Sequence, residues 1–400
     1  MEKRSILISG ASVAGPALAF WLQRHGGFDV TVVERGGPAT GGGYKVDLRG
    51  PAIDVLGRMG LVAPARERSA ELRGVTVVDP RGKVLATMDR SFAVMDENDL
   101  QILRGDLAEV LHGATRDDTE YVFHDAVASI TETGDGVLVT FEHGEPREFD
   151  MVVGADGVHS NVRSLVFGGD YELLRDLGYH VAGFTAPNFL DLDRWGYLLA
   201  TPGQLAHVYS ACGRADAQVA FMFDLGSDAR HCYGKHDLAL QKALVAERFA
   251  DTAWEMPRVL DAMHAADDFF FDAARCVDVD GWSRGRVALL GDAAWGPSFA
   301  SGFGTSQAIV GAYVLAGELA AARHDVAFGR YEKAMSTWVG LNQDLGLELV
   351  RHILGASRAH HWFHLQLMKT LPWLPFARPF ARRLHAKWAE PTLTLADYGV

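Results

Sequence analysis

"SILISGASVAGPALAFWLQRHG", residues 5–26, followed by "VTVVERG" at residues 31–37, is the stretch whose reading decides the fold. A short apolar run ends in glycine and opens into a segment of helical spacing, with Pro16 in its first turn and Gly26 and Gly27 at its end. A second apolar run stops at Glu34. This order is a β-α-β unit. Its turn aims backbone N–H groups and the positive end of a helix dipole at whatever lies above, a geometry that favours a pyrophosphate. The middle glycine of G-x-G-x-x-G is replaced, for the three positions are Gly10, Ser12 and Gly15, with Val13 and Ala14 completing the turn. Gly10 is expected to make the turn and Gly15 to let the helix lie close to the strand. Ser12 is small enough for a ligand to approach and offers a hydroxyl to phosphate. Glu34 is placed to accept from ribose hydroxyls, with Arg35 beside it as a partner for phosphate or adenine. A plain β-α-β unit with a surface glutamate is the competing reading.

The 400 residues suffice for two or three packed units, and 48% hydrophobic with 22% charged residues is an ordinary globular profile. A formal net charge of -13 excludes non-specific affinity for nucleic acid or an anionic membrane as the default. Cys212, Cys232 and Cys276 form no metal motif and no disulfide framework, and read as reduced thiols. The start, MEKRSILISG, lacks the apolar length of a signal peptide, and no run approaches the roughly 20 apolar residues of a membrane helix. A cytoplasmic, soluble enzyme is expected.

Two further stretches carry chemistry. In "VVGADGVHSNVRSLV", residues 152–166, a buried strand ends before Asp156, which either binds a ligand hydroxyl or caps the helix that begins near Ser160. In "GRVALLGDAAWGPSFASGFGTSQAIVGAYVLAGEL", residues 285–319, Asp292 closes a strand, and Pro297, Gly302 and Gly304 shape a loop before a helix that starts near Thr305. That second helix start suits negative charge on a ring system. Two anion sites in one chain imply a long ligand, such as a dinucleotide with a reactive head. Elsewhere, "GVTVVDPRGKVLATM" reads as two strands about a turn, "DENDLQILRGDLAEVLHGAT" as a helix, and residues 170–275 as strands with a helical stretch near "HDLALQKALVAERFAD".

In order, GxSxxG with Glu34 and Arg35, GADGxxSxxR, and GDAAxxxPxxxGxG resemble the group A flavin-dependent monooxygenases, the para-hydroxybenzoate hydroxylase family, over about residues 5–320. The family includes aromatic polyketide hydroxylases and tetracycline-inactivating enzymes. The resemblance implies an α/β fold, in which a Rossmann-like FAD-binding domain (residues 1–72, 97–170 and 276–330) carries an inserted β-sheet substrate domain (73–96 and 171–275) and a C-terminal helical segment (331–400). It implies FAD with its pyrophosphate on residues 10–15 and its ribose on Glu34, Arg104 near the phosphates and ribityl chain, and Val127 in the cofactor site. Asp156 would serve FAD and NAD(P)H together, Asp292 the ribityl or ribose hydroxyls, and the turn Gly302 to Thr305 the flavin pyrimidine.

The implied activity uses NAD(P)H as a transient co-substrate and O2 to hydroxylate an aromatic or polycyclic, polyketide-like small molecule through a flavin C4a-hydroperoxide. The cofactor carries the chemistry, so no catalytic side chain is required. The partners are then the substrate and O2, with no nucleic acid or membrane, in a monomer or weak homodimer. Pocket candidates are Arg49, Phe184, Trp195, Tyr209, Phe221 and Phe223, together with Trp295, Pro297 and Phe303 near the flavin; core packing is the competing reading for each aromatic of the insert.

Three positions depart from the family. Trp295 stands where histidine is common, Phe303 where a polar residue is frequent, and Gly311 where the following helix often has aspartate. Trp295 and Phe303 leave open a Baeyer-Villiger-type oxygenase or a non-redox flavoenzyme, and a dinucleotide-binding sensor is the non-enzymatic alternative. His360 and His364, one helical turn apart, lack an acidic partner in that turn, so no metal is expected.

Overall fold

Strand Arg4–Ser9 lies inside a six-stranded sheet, between strands Phe28–Glu34 and Met151–Gly154 and parallel to both. Beyond Phe28–Glu34 comes Glu120–Phe123; beyond Met151–Gly154 come Val287–Leu289 and Ser283–Arg284. Only the last pairing is antiparallel. The chain runs outward from Arg4–Ser9 in one direction and then returns to the other side, so the strand order switches beside Arg4–Ser9. Ligands of open α/β sheets bind at the carboxyl ends of the strands where this switch occurs. Gly10, Asp156 and Asp292 follow the carboxyl ends of three adjacent strands, and Glu34 closes a fourth. One sheet therefore gathers motifs that are almost three hundred residues apart.

The computed structural model describes residues 3–89, 98–169, 173–211, 213–224, 237–353, 366 and 393–400. Helix Ala14–His25 ends at Gly26, which takes φ 72°, and packs against helix Gly304–Ala321 through an edge-on contact of Trp21 with Tyr313 at 4.8 Å. Both rings are fully buried. Two smaller sheets flank this body: Lys45–Leu48 pairs with Leu100–Leu103, and Val127–Glu132, Val137–Phe141 and Arg147–Phe149 form a meander.

A seven-stranded sheet runs in the order Phe270–Val277, Leu174–Pro187, Asp216–Phe223, Gln204–Ser210, Trp195–Thr201, Gly74–Val78 and Val84–Asp89. Strand side chains alternate between faces. On one face Phe184, Phe221 and Phe223 join Val245, Phe249, Val259 and Met263 from helices Leu238–Phe249 and Met256–Ala265 in a single buried cluster. Burial of each phenyl ring stabilises the fold by about 1.5–3 kcal/mol. The other face, with His207, Tyr209 and Gln218, turns away from that cluster.

The helix expected across "DENDLQILRGDLAEVLHGAT" is shorter: Leu100–Leu103 is a strand, and the helix is Arg104–Gly113. Pairing of Leu100 and Ile102 with Leu48 and Val46 buries the apolar run in a sheet instead. At the carboxyl side, helix His324–Ile353 precedes a tail, residues 393–400, whose Tyr398 hydroxyl donates to Glu318 at 2.9 Å. His360, His364, Cys212 and Cys232 lie outside the described residues. Among the described residues no helix is long and apolar enough to cross a membrane.

Candidate functional site

The turn after Arg4–Ser9 is built on glycine for two reasons. Gly10 adopts φ 111°, and a Cβ there would lie 2.5 Å from the Ala155 carbonyl oxygen; a Cβ on Gly15 would lie 1.9 Å from the Gly10 carbonyl oxygen. Only hydrogen fits at either position. The helix that follows has no side-chain cap, so its first N–H groups face the space above the sheet. Helix Gly304–Ala321 also begins without a side-chain cap. A cavity of about 620 Å³ runs between the two helix starts.

At one end the cavity is lined by Glu34, Arg35, Asp125 and Ala126, and along its middle by Gly10, Ser12, Val13, Ala14 and Asp156. Tyr44, Arg104, His159, Asp292, Gly304 and Thr305 also line it. Glu34 does not stand free: its carboxylate accepts from the N–H of Ala11 at 2.8 Å and of Gly36 at 2.9 Å, tying the turn to the second strand. A carboxylate has about four acceptor sites, so others remain for a ribose. Arg35 pairs with Glu142 at 3.5 Å near the surface.

Asp156 caps the start of helix Asn161–Val166 and at the same time faces the cavity. Its carboxylate accepts from the N–H groups of Asn161 at 2.9 Å and Val162 at 3.1 Å and from the Ser160 hydroxyl, while it also lines the cavity. Burial raises its pKa against these hydrogen bonds. Asp156→Ala is expected to cost about 2 kcal/mol in urea unfolding, because it strips the start of helix Asn161–Val166 of acceptors, and Asp156→Asn to cost less. Arg104 opens its helix within reach of the Tyr44 ring, 5.7 Å from the ring centroid. Burial raises the pKa of Asp292, and the charge of Arg104 opposes that rise.

Several expected positions are corrected. Val127 is buried and faces the core; its neighbour Ala126 lines the cavity. Gly302, with φ 69°, shapes the loop beneath the cavity without lining it. Phe184, Phe221 and Phe223 are core residues on the helix-covered face, since strand alternation points them there. Trp195 packs on the same side, and its indole N–H donates to the Thr76 hydroxyl at 2.9 Å. Trp295 is buried against Trp282 and Tyr331, and Pro297 is buried. Phe303 lies under the Arg49 guanidinium, 5.2 Å from ring centroid to cation. Arg49 pairs with Asp47. Tyr209 is buried on the face away from the two helices, where its hydroxyl accepts from the Lys45 N–H at 2.8 Å.

Other residues of this region escaped sequence reasoning. Asp106 accepts from the Gly42 N–H and from Arg214, each at 2.9 Å, and so joins the loop over the cavity to the seven-stranded sheet. Tyr44 sits between Phe270 and Phe299, with ring centroids at 5.6 and 5.3 Å. The run Gly41 to Gly43 was a signal for close backbone approach: a Cβ on Gly105 would lie 2.5 Å from Gly41.

Residues 3–178 match the family model described as FAD binding domain. A flavin-dependent monooxygenase from an unknown prokaryotic organism is 39% identical, over 86% of this chain and 89% of its own length. A flavin-dependent monooxygenase of Legionella longbeachae is 36% identical, over 86% and 87%. The crystal structure of tetracycline destructase Tet(55) superposes with a TM-score of 0.84 and 34% identity, covering 100% of both chains. Fold and cavity thus define an FAD-binding oxidoreductase of the Rossmann type. The chain belongs to the group A FAD-dependent monooxygenases.

Proposed function

We propose that the protein uses NAD(P)H and O2 to hydroxylate an aromatic or polycyclic, oxygen-rich small molecule. The observation that carries this reading is the single cavity stretched between two uncapped helix starts, which suits a ligand anionic at its middle and at its ring end. The residues fit FAD: the cradle at Gly10 and Gly15 leaves no room for a side chain where the backbone must meet a diphosphate. Bound FAD supplies the redox chemistry with NAD(P)H and O2. The turn from Ser12 to Ala14 holds the diphosphate by backbone N–H groups, and Ser12 adds its hydroxyl. Glu34 accepts from the adenosine ribose; Asp292 and Arg104 hold the ribityl chain. The start of helix Gly304–Ala321 favours negative charge on the ring. Tyr44, between Phe270 and Phe299, keeps water from the reacting end.

Tetracycline enters as a first probe because a destructase of that drug class shares the fold at 34% identity. The purified protein is expected to be yellow and to oxidise NADH or NADPH faster in the presence of tetracycline, hydroxyanthraquinones or hydroxynaphthoates. Mass spectrometry of the product should show one added oxygen derived from labelled O2. Colourless protein that takes up no FAD, or NAD(P)H oxidation with no oxygen in any product, would refute it.

A further inference from the structure

Resting on that reading, we infer that Lys45 and Arg49, held in place by Asp47, form a docking point for an acidic oxygen of the substrate, such as an ionised phenol, enol or carboxylate. Lys45, Asp47 and Arg49 alternate along extended backbone and so share one face. Asp47 takes both cations, Lys45 at 2.7 Å and Arg49 closer still, while Gln101 on the paired strand donates to it at 3.2 Å. The main chain is anchored too: the Arg49 N–H donates to the Ser306 hydroxyl at 3.0 Å, and that hydroxyl donates to the Asp47 carbonyl at 3.1 Å.

The triad carries two positive charges and one negative. Burial alone would raise the pKa of Asp47, but the charges of Lys45 and Arg49 outweigh it and hold the carboxylate ionised. A net positive charge is therefore kept where 18, 11 and 15% of the Lys45, Asp47 and Arg49 side chains remain accessible. An uncompensated buried charge is costly, and a ligand anion removes that cost.

Unpartnered polar groups stand around the triad. The Arg49 Nε has no hydrogen-bond partner among the described residues. The Tyr209 hydroxyl accepts from Lys45, which leaves its own proton to donate. His207, 4.6 Å from the Tyr209 ring, has its pKa pushed down to about 3 by burial and by Lys45, so it adds no charge, and its Nε2 is buried without a partner. Position completes the case. Lys45 follows the cavity residue Tyr44, and the Arg49 guanidinium lies over Phe303, which directly precedes Gly304 and Thr305 on the cavity wall. The docking point is thus beside the ring end of the cofactor cavity.

Calorimetric titration of the FAD-loaded protein with hydroxynaphthoate and with its neutral methyl ester tests this. The anion is expected to bind about tenfold tighter, as a charge-assisted hydrogen bond to a partly buried cation pair predicts. Lys45→Gln and Arg49→Gln should each bring the two affinities within about twofold by weakening only the anion, and Arg49→Lys should recover part of the preference. Equal affinities in the unaltered protein, or binding of neither probe, would overturn the inference without any variant. So would a preference that survives both substitutions while the flavin reduction potential shifts, since the cations would then serve the ring of FAD. A protein that takes up no FAD defeats the functional reading and this one with it; a flavin-loaded protein without preference defeats this one alone.

Discussion

Gly15→Ala is expected to yield a protein that loses FAD on gel filtration and unfolds about 3 kcal/mol more easily in urea. The added methyl would sit 1.9 Å from the Gly10 carbonyl oxygen, and backbone on both sides of that contact is held in place. Gly10 is fixed by its own N–H, which donates to Val33 at 2.8 Å, and by the Ala155 carbonyl facing it. Relief then requires the helix Ala14–His25 to move off the strand, which withdraws its first N–H groups from the cavity. Ser12→Gly, which restores the usual glycine pattern, should keep the fold and still take up FAD through the backbone N–H groups, less tightly by the worth of one hydroxyl hydrogen bond, about 1 kcal/mol. Equal retention of flavin by Gly15→Ala would show that the helix start does not bind the diphosphate.

The second large effect joins two departures from the family pattern. A Cβ on Gly311 would lie 2.9 Å from the Trp295 ring, so the tryptophan fills the space that a side chain at position 311 would need. A large ring here meets a position with no side chain. Gly311→Asp is expected to destabilise by about 4 kcal/mol or more, because it combines a steric clash with an unpaired carboxylate in an apolar core. Trp295→His alone should destabilise through the cavity that it opens among Trp282 and Tyr331. The double variant should be less unstable than the sum of the two, by about 1–3 kcal/mol in a double-mutant cycle of urea unfolding. Strict additivity would mean that the positions are independent.

The motifs around Gly10, Asp156 and Asp292 were legible because their demands are local. A strand end, a glycine forced by close backbone and a helix start occupy a few adjacent residues each. The substrate side was not legible for a different reason. Period-two alternation divides Asp216–Phe223 into two faces but does not say which face another element covers. Helix Leu238–Phe249 decides that question, because its Phe249 packs on Phe221 and Phe223 with ring centroids at 4.6 and 5.9 Å, and helix Met256–Ala265 covers the neighbouring strand Leu174–Pro187 on the same side. The charges at positions 45, 47 and 49 were visible as residues, yet their meeting with Tyr209 depends on two chain segments more than 150 residues apart. Likewise "LQIL" has the composition of a helix start and becomes a strand because Lys45–Leu48 offers it a partner.

The order of the six-stranded sheet bears on how the chain is made. Its central strand, Arg4–Ser9, is synthesised about 280 residues before Val287–Leu289 and the Asp292 loop. Until then Met151–Gly154 has an open edge where Val287–Leu289 will pair, and the cradle for the cofactor lacks one wall. Such long-range pairing is slow and leaves unpaired backbone exposed during synthesis. FAD capture therefore waits for the Asp292 loop, and the nascent chain carries an open edge at Met151–Gly154 while the intervening stretch of about 130 residues is made.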